Sequence, residues 1–331
     1  MKIDFQQLLG GDRRTLARAI TLVESQATED RAAAEQLINQ VLPHSGRSSR
    51  IGISGAPGVG KSTFIDAFGT HLIELGHKVA VLAIDPSSPT SGGSILGDKL
   101  RMQSLSANPN AYVRPSPAGE RLGGVASRTR DTIPCCEAAG FDIIIVETVG
   151  VGQSEVSVAA MVDLFVILLQ PAAGDEVQGI KRGILDLVDM AIVNKSDGEL
   201  VDAAESTAQQ YRSAFSAAPR KRNSRYVATC SALEGTGVPE VWMELRSEIH
   251  SRKASGDFEA KRARQSLDAL DEMFEIMLRS EIQNCDSFSQ RKRSLQDRVA
   301  TGDLSPSAAA TELAARIRAG LAAIAHASCT D

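Results

Sequence analysis

Residues 55–62 read "GAPGVGKS": a glycine, four variable positions, then Gly-Lys-Ser. Those types at that spacing suit phosphate chemistry. Glycines let successive backbone N–H groups turn inward around phosphate oxygens. A lysine adds a positive charge at the β and γ phosphates, and a serine hydroxyl reaches Mg²⁺. The candidate phosphate-binding set is Gly55, Ala56, Pro57, Gly58, Val59, Gly60, Lys61, Ser62 and Thr63. Lys61 is a catalytic candidate and Ser62 a metal ligand. The alternative is a Gly-rich turn that binds nothing. Context decides between them, because the pattern works only between a strand and a helix. "RIGIS" (50–54) reads as the strand, and a helix beginning near Lys61 adds the positive end of its dipole.

A second group, "NKSD" (194–197), follows another apolar run. Asp197 carries two acceptor oxygens that match the N1–H and N2–H₂ donors of guanine. Adenine lacks that donor pair, so a buried acid there penalises ATP. Asn194 can tie loops together, and the Lys195 stem can lie along the base. "SAL" (231–233) follows the next run, and the amides of Ser231, Ala232 and Leu233 are candidates to meet the guanine oxygen. The competing reading of NKSD is a polar turn capped by Ser196 or Asp197.

A third group is "DIIIVETVGVGQSE" (142–155), where an apolar run ends on one acid, Glu147, and passes into a bare loop. A carboxylate there can hold Mg²⁺ directly or through water. Gly150 lets the backbone approach a γ-phosphate and donate its N–H. The loop then has two states, with phosphate and without. Ras-like GTPases place a water-orienting Gln directly after the loop glycine; here Val151 stands there and Gln153 comes two residues later. Slow intrinsic hydrolysis that awaits a partner is the expectation. Asp85, in "AIDPSS" (83–88), and Asp98, in "SGGSILGDKLR" (91–101), are further metal or water ligands by position. By spacing alone each is equally an Asp-Pro turn or a solvated loop acid.

The elements that must position these groups show in the apolar pattern. Short runs fall at 50–54, 78–84, 111–115, 141–147, 163–169, 189–194 and 225–231, with helical stretches between most of them. Runs apolar on both faces and separated by helices imply a parallel sheet covered on both sides. Ligands then gather beyond the carboxyl ends of the strands, where all three groups lie. Residues 12–42 have helical spacing, as one helix or a pair, and 43–49 read as a linker. Strand signals stop after about 252. From there Ala, Arg, Leu, Glu and Gln dominate, with a turn and a new helix start at 303–313.

The expected fold is α/β: a Rossmann-like P-loop NTPase with a mostly parallel central sheet. Its expected parts are an N-terminal helical segment (1–46), a nucleotide-binding core (47–252) and a C-terminal helical arm (253–331). A net charge of −5 argues against nucleic acid as a partner. No apolar run reaches the ~20 residues of a membrane span, and the start lacks an export signal. Five cysteines without CxxC spacing suit a reduced, cytoplasmic protein.

Taken together the stretches resemble one family. "GDRRTLARAITLVES" (11–25), "GAPGVGKST" (55–63), "LAIDPSS" (82–88), "GGSILGDK" (92–99), "RPSP" (114–117), "LGGVA" (122–126), "CEAAGFD" (136–142), "ETVGVGQSE" (147–155), "AGDEVQGIKRGI" (173–184) and "NKSD" resemble the MeaB/ArgK-type P-loop GTPases, the methylmalonyl-CoA mutase-associated GTPases. The resemblance covers about 11 to 250 and departs at Ser91, Leu100, Glu120 and Arg121. It implies GTP hydrolysis to GDP and phosphate with Mg²⁺. It implies a C-terminal arm used for homodimerisation and a chaperone role toward an adenosylcobalamin-dependent acyl-CoA mutase of the methylmalonyl-CoA mutase type. It also implies that Asp85, Asp98 and Glu147 surround metal and catalytic water. A partner-signalling switch falls at 174–182, with Asp175, Gln178 and Lys181 as its working residues; by residue types alone that segment is a charged helix start. The family's older kinase label finds no support in these residues. The competing reading on the same fold is a nickel-delivering GTPase, which would want a His-rich tract or a Cys/His metal pair.

Overall fold

The computed structural model describes residues 3–25, 27–84, 102–114, 122–148, 154–171, 186–217 and 226–328. Seven strands form one sheet: β1 Ser49–Gly55, β2 Val79–Ile84, β3 Ala111–Arg114, β4 Ile143–Thr148, β5 Leu164–Leu169, β6 Met190–Val193 and β7 Tyr226–Thr229. Their order is β3-β2-β4-β1-β5-β6-β7, and every pairing is parallel. Each lies on an apolar run singled out in the sequence.

Alternation along the strands feeds two cores. On one face Ile144, Val146, Phe165 and Ile167 meet α2 (Arg13–Glu24), α3 (Thr28–Val41), α6 (Leu122–Ala138), α7 (Ser154–Ala159) and α8 (Val201–Ala217). On the other, Ile51, Ile53, Ile145 and Leu168 meet α4 (Lys61–Glu74), α5 (Gln103–Ala107) and α9 (Val238–Ser255). A period of two on doubly covered strands requires both sets to be apolar, which explains why the runs are nearly continuous. Phe64 and Phe68 of α4 stack with ring centroids 5.4 Å apart, and Phe68 meets Trp242 of α9 edge-on. Truncating Phe68 to alanine would cost about 3–5 kcal/mol.

The helical spacing over 12–42 resolves into the pair α2 and α3. A short helix before them, α1 (Phe5–Leu9), has too little length for a period to show. Aspartates start two of these helices. Asp4 accepts from the Gln7 N–H at 3.2 Å, and Asp12 from the Thr15 N–H at 2.7 Å. The expected linker opens with a 3₁₀ turn, Leu42–His44, and ends where β1 begins. An ion pair between Glu24 and Arg114 ties the end of α2 to the end of β3.

Charge closes the amino edge of the sheet. Asp163, just before β5, accepts from the Arg50 N–H at 2.7 Å and from Arg262 Nε and Nη2 at 2.8 and 2.7 Å. The Asp163 carbonyl takes Arg252 Nη1 at 2.9 Å and Lys261 Nζ at 2.8 Å. Arg252 Nη2 reaches Asp189 at 2.6 Å. Glu137, in the last turn of α6, accepts from the Gly46 N–H, the Ser48 hydroxyl, and Arg50 Nε and Nη2. Burial pushes the Glu137 carboxyl up, but the Arg50, Ser48 and Gly46 donors outweigh it and hold it below its ordinary value.

Contacts divide the chain into two compact units, Met1–Gln265 and Ser266–Asp331. Gly256, with φ of 79°, ends α9, and α10 (Asp257–Asn284) starts at once and runs into the second unit. That unit continues with α11 (Asp286–Ala300) and α12 (Pro306–Ser328), joined by an Arg291–Glu312 ion pair. The expected helix start after 303 is α12, where the Ser305 hydroxyl accepts from the Ala308 N–H at 3.2 Å. Among the described residues no helix is long and apolar enough to cross a membrane.

Candidate functional site

The chemistry-bearing residues converge on the carboxyl edge of the sheet. β1 runs into the loop Ala56–Gly60, and α4 begins at Lys61. Two glycines are obligatory there. A Cβ at Gly55 would sit 2.6 Å from the Leu168 carbonyl oxygen of the neighbouring strand. Gly60 has φ of 92°, and a Cβ on it would meet Asn194 Nδ2 at 2.7 Å. The loop is therefore as tight as its residue types allow.

Lys61 folds back over this loop. Its ammonium donates to the carbonyls of Gly55 at 2.7 Å and Ala56 at 3.2 Å. Burial pulls its pKa below the ordinary lysine value, while the charges of Glu147 and Glu155 oppose that fall. Glu147 lies near the end of β4, opposite Ile53 of β1 and Ala83 of β2, and is 4% exposed. It alternates onto the face of Ile143 and Ile145, the side covered by α4. Lys61, Glu147 and Glu155 thus form one cluster. Ser62 is partly exposed in the first turn of α4, and Thr63 is exposed.

The second cluster is tied to the first by hydrogen bonds. Asn194, 2% exposed after β6, donates from Nδ2 to the Val59 carbonyl at 2.9 Å. Its Oδ1 accepts from the Ala232 N–H at 3.0 Å, with the Cys230 thiol at 3.6 Å. One amide side chain thus joins the phosphate loop, the NKSD turn and the SAL turn. Burial pushes the Cys230 thiol up to about 12, so it stays protonated as a weak donor. Lys195 sits at a positive φ of 61° and donates from Nζ to the Gly58 carbonyl at 2.6 Å.

Asp197 does not cap the 3₁₀ turn Gly198–Leu200 through its side chain. Its carboxylate instead accepts from the Ser231 hydroxyl at 2.5 Å, and that hydroxyl oxygen accepts from the Glu234 N–H at 3.1 Å. The Ser231 N–H donates to the Thr236 carbonyl at 2.9 Å. Leu233 turns its side chain to solvent, 81% exposed. Capping of that turn by Asp197 therefore has no hydrogen bond behind it.

Of the residues singled out in the sequence, the structure brings together 55–63, Glu147, Asn194, Lys195, Asp197 and 231–233. Asp85, Asp98, Gly150, Asp175, Gln178 and Lys181 lie outside the described residues. Sequence reasoning passed over three neighbours. Glu155 is a fully buried acid within reach of the Lys61 charge. Ser54 and Thr148 are buried hydroxyls on β1 and β4, joined at 2.8 Å. Their signal was present: both are polar residues closing otherwise apolar runs.

The chain is similar to several known proteins. A family model described as "Methylmalonyl Co-A mutase-associated GTPase MeaB" matches residues 16–286. The Mycobacterium tuberculosis protein named "Probable GTPase Rv1496" is 48% identical over 306 residues, covering 92% of this chain and 91% of that protein. The Mus musculus protein named "Methylmalonic aciduria type A homolog, mitochondrial" is 45% identical over 316 residues, covering 92% of this chain and 76% of that protein. Among solved structures, an LAO/AO transport system kinase superposes with a TM-score of 0.76 at 36% identity, covering 95% of this chain and 96% of that one.

Proposed function

The chain belongs to the MeaB family of P-loop GTPases, and from that premise we propose that it is a GTP-driven chaperone of an adenosylcobalamin-dependent acyl-CoA mutase, gating cofactor loading and protecting the loaded enzyme. The observation that carries the reading is the family match over 16–286, which spans the whole nucleotide cleft.

Guanine nucleotide binding follows from membership in that family. The residue roles are our assignment. Amides of the loop 55–60 cradle the β and γ phosphates, and Lys61 transfers its ammonium from loop carbonyls to phosphate oxygens. Asp197, held by Ser231, accepts from the guanine N1–H and N2–H₂. Asn194 keeps the phosphate and base loops at a fixed separation. Mg²⁺ suits the donors present: Ser62 and Glu147 supply hard oxygen ligands at the carboxyl edge, beside a lysine that also binds phosphate. When bound, the ion would neutralise charge on the phosphates. Asp85 and Asp98 are assigned to the same metal and its attacking water, Gly150 to the γ-phosphate, and Asp175, Gln178 and Lys181 to the signal toward the mutase.

A homodimer joined through the C-terminal arm is part of this proposal. Leu267, Leu270, Phe274 and Met277 of α10 are exposed at spacings of three and four. An apolar stripe at that period is the pattern of a helix that pairs with another.

The experiment is GTP turnover by the purified chain with and without a methylmalonyl-CoA mutase-type enzyme. Slow turnover alone and a severalfold rise with the mutase are expected. An unchanged rate across mutases of this type would remove the chaperone role.

A further inference from the structure

The β1–β4 ladder runs from Ser49↔Ile143 to Ile53↔Glu147. One residue further along, the two strands part: β1 enters the phosphate loop at Gly55, and β4 leads through Thr148 to the loop that follows Glu147. At that fork the Thr148 hydroxyl donates to Ser54 Oγ at 2.8 Å. Ser54 is 1% exposed and Thr148 0% exposed. The bond joins the strand that carries the phosphate loop to the strand that carries Glu147, one residue beyond the last register pair between them.

Its face matters. Thr148 alternates with Ile144 and Val146, on the side of α6 and α7, whereas Glu147 points to the side of α4 and Lys61. The hydroxyl pair therefore adds no atom to the nucleotide cleft. Nor is stability a sufficient reason for it. Replacing both partners of a buried hydrogen bond with apolar groups of similar shape is close to neutral, and Ala or Val would satisfy this core. What apolar packing cannot supply is a fixed distance and direction between two diverging strands. A hydrogen bond supplies both.

We propose that Ser54 and Thr148 are a positioning pair that holds the Glu147 carboxylate at a fixed offset from the phosphate loop. The inference rests on the metal and water role given to Glu147 above.

The test uses the full chain, four single variants and one double variant, read by single-turnover GTP hydrolysis at saturating Mg²⁺, by GDP affinity in EDTA and by thermal unfolding. Thr148→Val is expected to lower hydrolysis about tenfold with GDP affinity changed less than about twofold, since misplacement acts on the chemical step rather than on binding. Thr148→Ser keeps the hydroxyl and is expected to stay within about twofold of the parent. Ser54→Ala is expected to match Thr148→Val, and the double variant to be no slower than either single one. Parent-like hydrolysis by Thr148→Val, or losses that multiply in the double variant, would overturn the pair. Glu147→Gln separates the two readings: if it hydrolyses like the parent, the role of Glu147 itself is wrong. If it is slow while Thr148→Val is fast, only the pair falls.

Discussion

The hub at Asp163 and the phosphate loop hold their cations in different ways. At the amino edge three arginines meet carboxylates: Arg262 meets Asp163, Arg50 meets Glu137, and Arg252 meets Asp189 and Glu248, while Lys261 rests on the Asp163 carbonyl. At the carboxyl edge, among the described residues, Lys61 rests on the carbonyls of Gly55 and Ala56 and Lys195 on that of Gly58, while Arg114 at the end of β3 meets Glu24. A cation matched to a buried acid has little reason to leave it. A cation resting on loop carbonyls can transfer to an anionic ligand at small cost. At the phosphate loop itself the partners of Lys61 and Lys195 are carbonyls.

The largest effect expected from this contrast lies at the amino edge. Asp163→Ala removes the carboxylate that pairs with Arg262 and accepts from the Arg50 N–H, leaving Arg262 to the carbonyls of Gly46 and Ser48, and should cost about 3 kcal/mol in denaturant unfolding. The folded fraction should keep its preference for guanine nucleotides. Lost selectivity would break the contrast.

Lys61→Ala should behave the other way. Turnover of GTP should fall about a hundredfold or more, while unfolding stability should hold or rise slightly. Burial lowers the Lys61 pKa, so folding disfavours its charged form, and removing the ammonium removes that penalty. A thermal scan that drops by several degrees would show that Lys61 is structural.

A smaller effect separates the edges by pH. Glu137 titrates below its ordinary value. Its stabilising contribution is complete above about pH 4.5, the unfolded value, and is lost as pH falls toward the lower folded value. Lys61 acts on the alkaline side: its penalty is present below the folded value and fades as pH rises toward the ordinary lysine range. The pH dependence of the denaturant midpoint from about pH 3 to 6 should flatten in Glu137→Gln and keep the parent's slope in Lys61→Ala.

The sheet was legible because its strands are covered on both faces, so their apolar runs are continuous and end at the carboxyl edge. The phosphate loop and NKSD were legible because their residues are adjacent in sequence. The hub at Asp163 was not. Its partners Arg50 and Arg262 lie 113 and 99 residues away, and no local period links them. The Ser54–Thr148 pair, 94 residues apart, was hidden for the same reason. Asn194 stands between these cases. The sequence suggested that it ties loops, and the structure adds that one amide binds Val59 and Ala232 together.

The claim that a guanine nucleotide lies across this edge is tested most directly by base preference in Asp197→Asn. Its amide NH₂ would face the guanine N2–H₂ with a second donor, whereas in xanthine the same NH₂ donates to the C2 carbonyl while Oδ1 still accepts from N1–H. GTP affinity should fall about a hundredfold and xanthosine triphosphate affinity should rise, with the purified variant still folded. An unchanged preference for GTP would contradict the account.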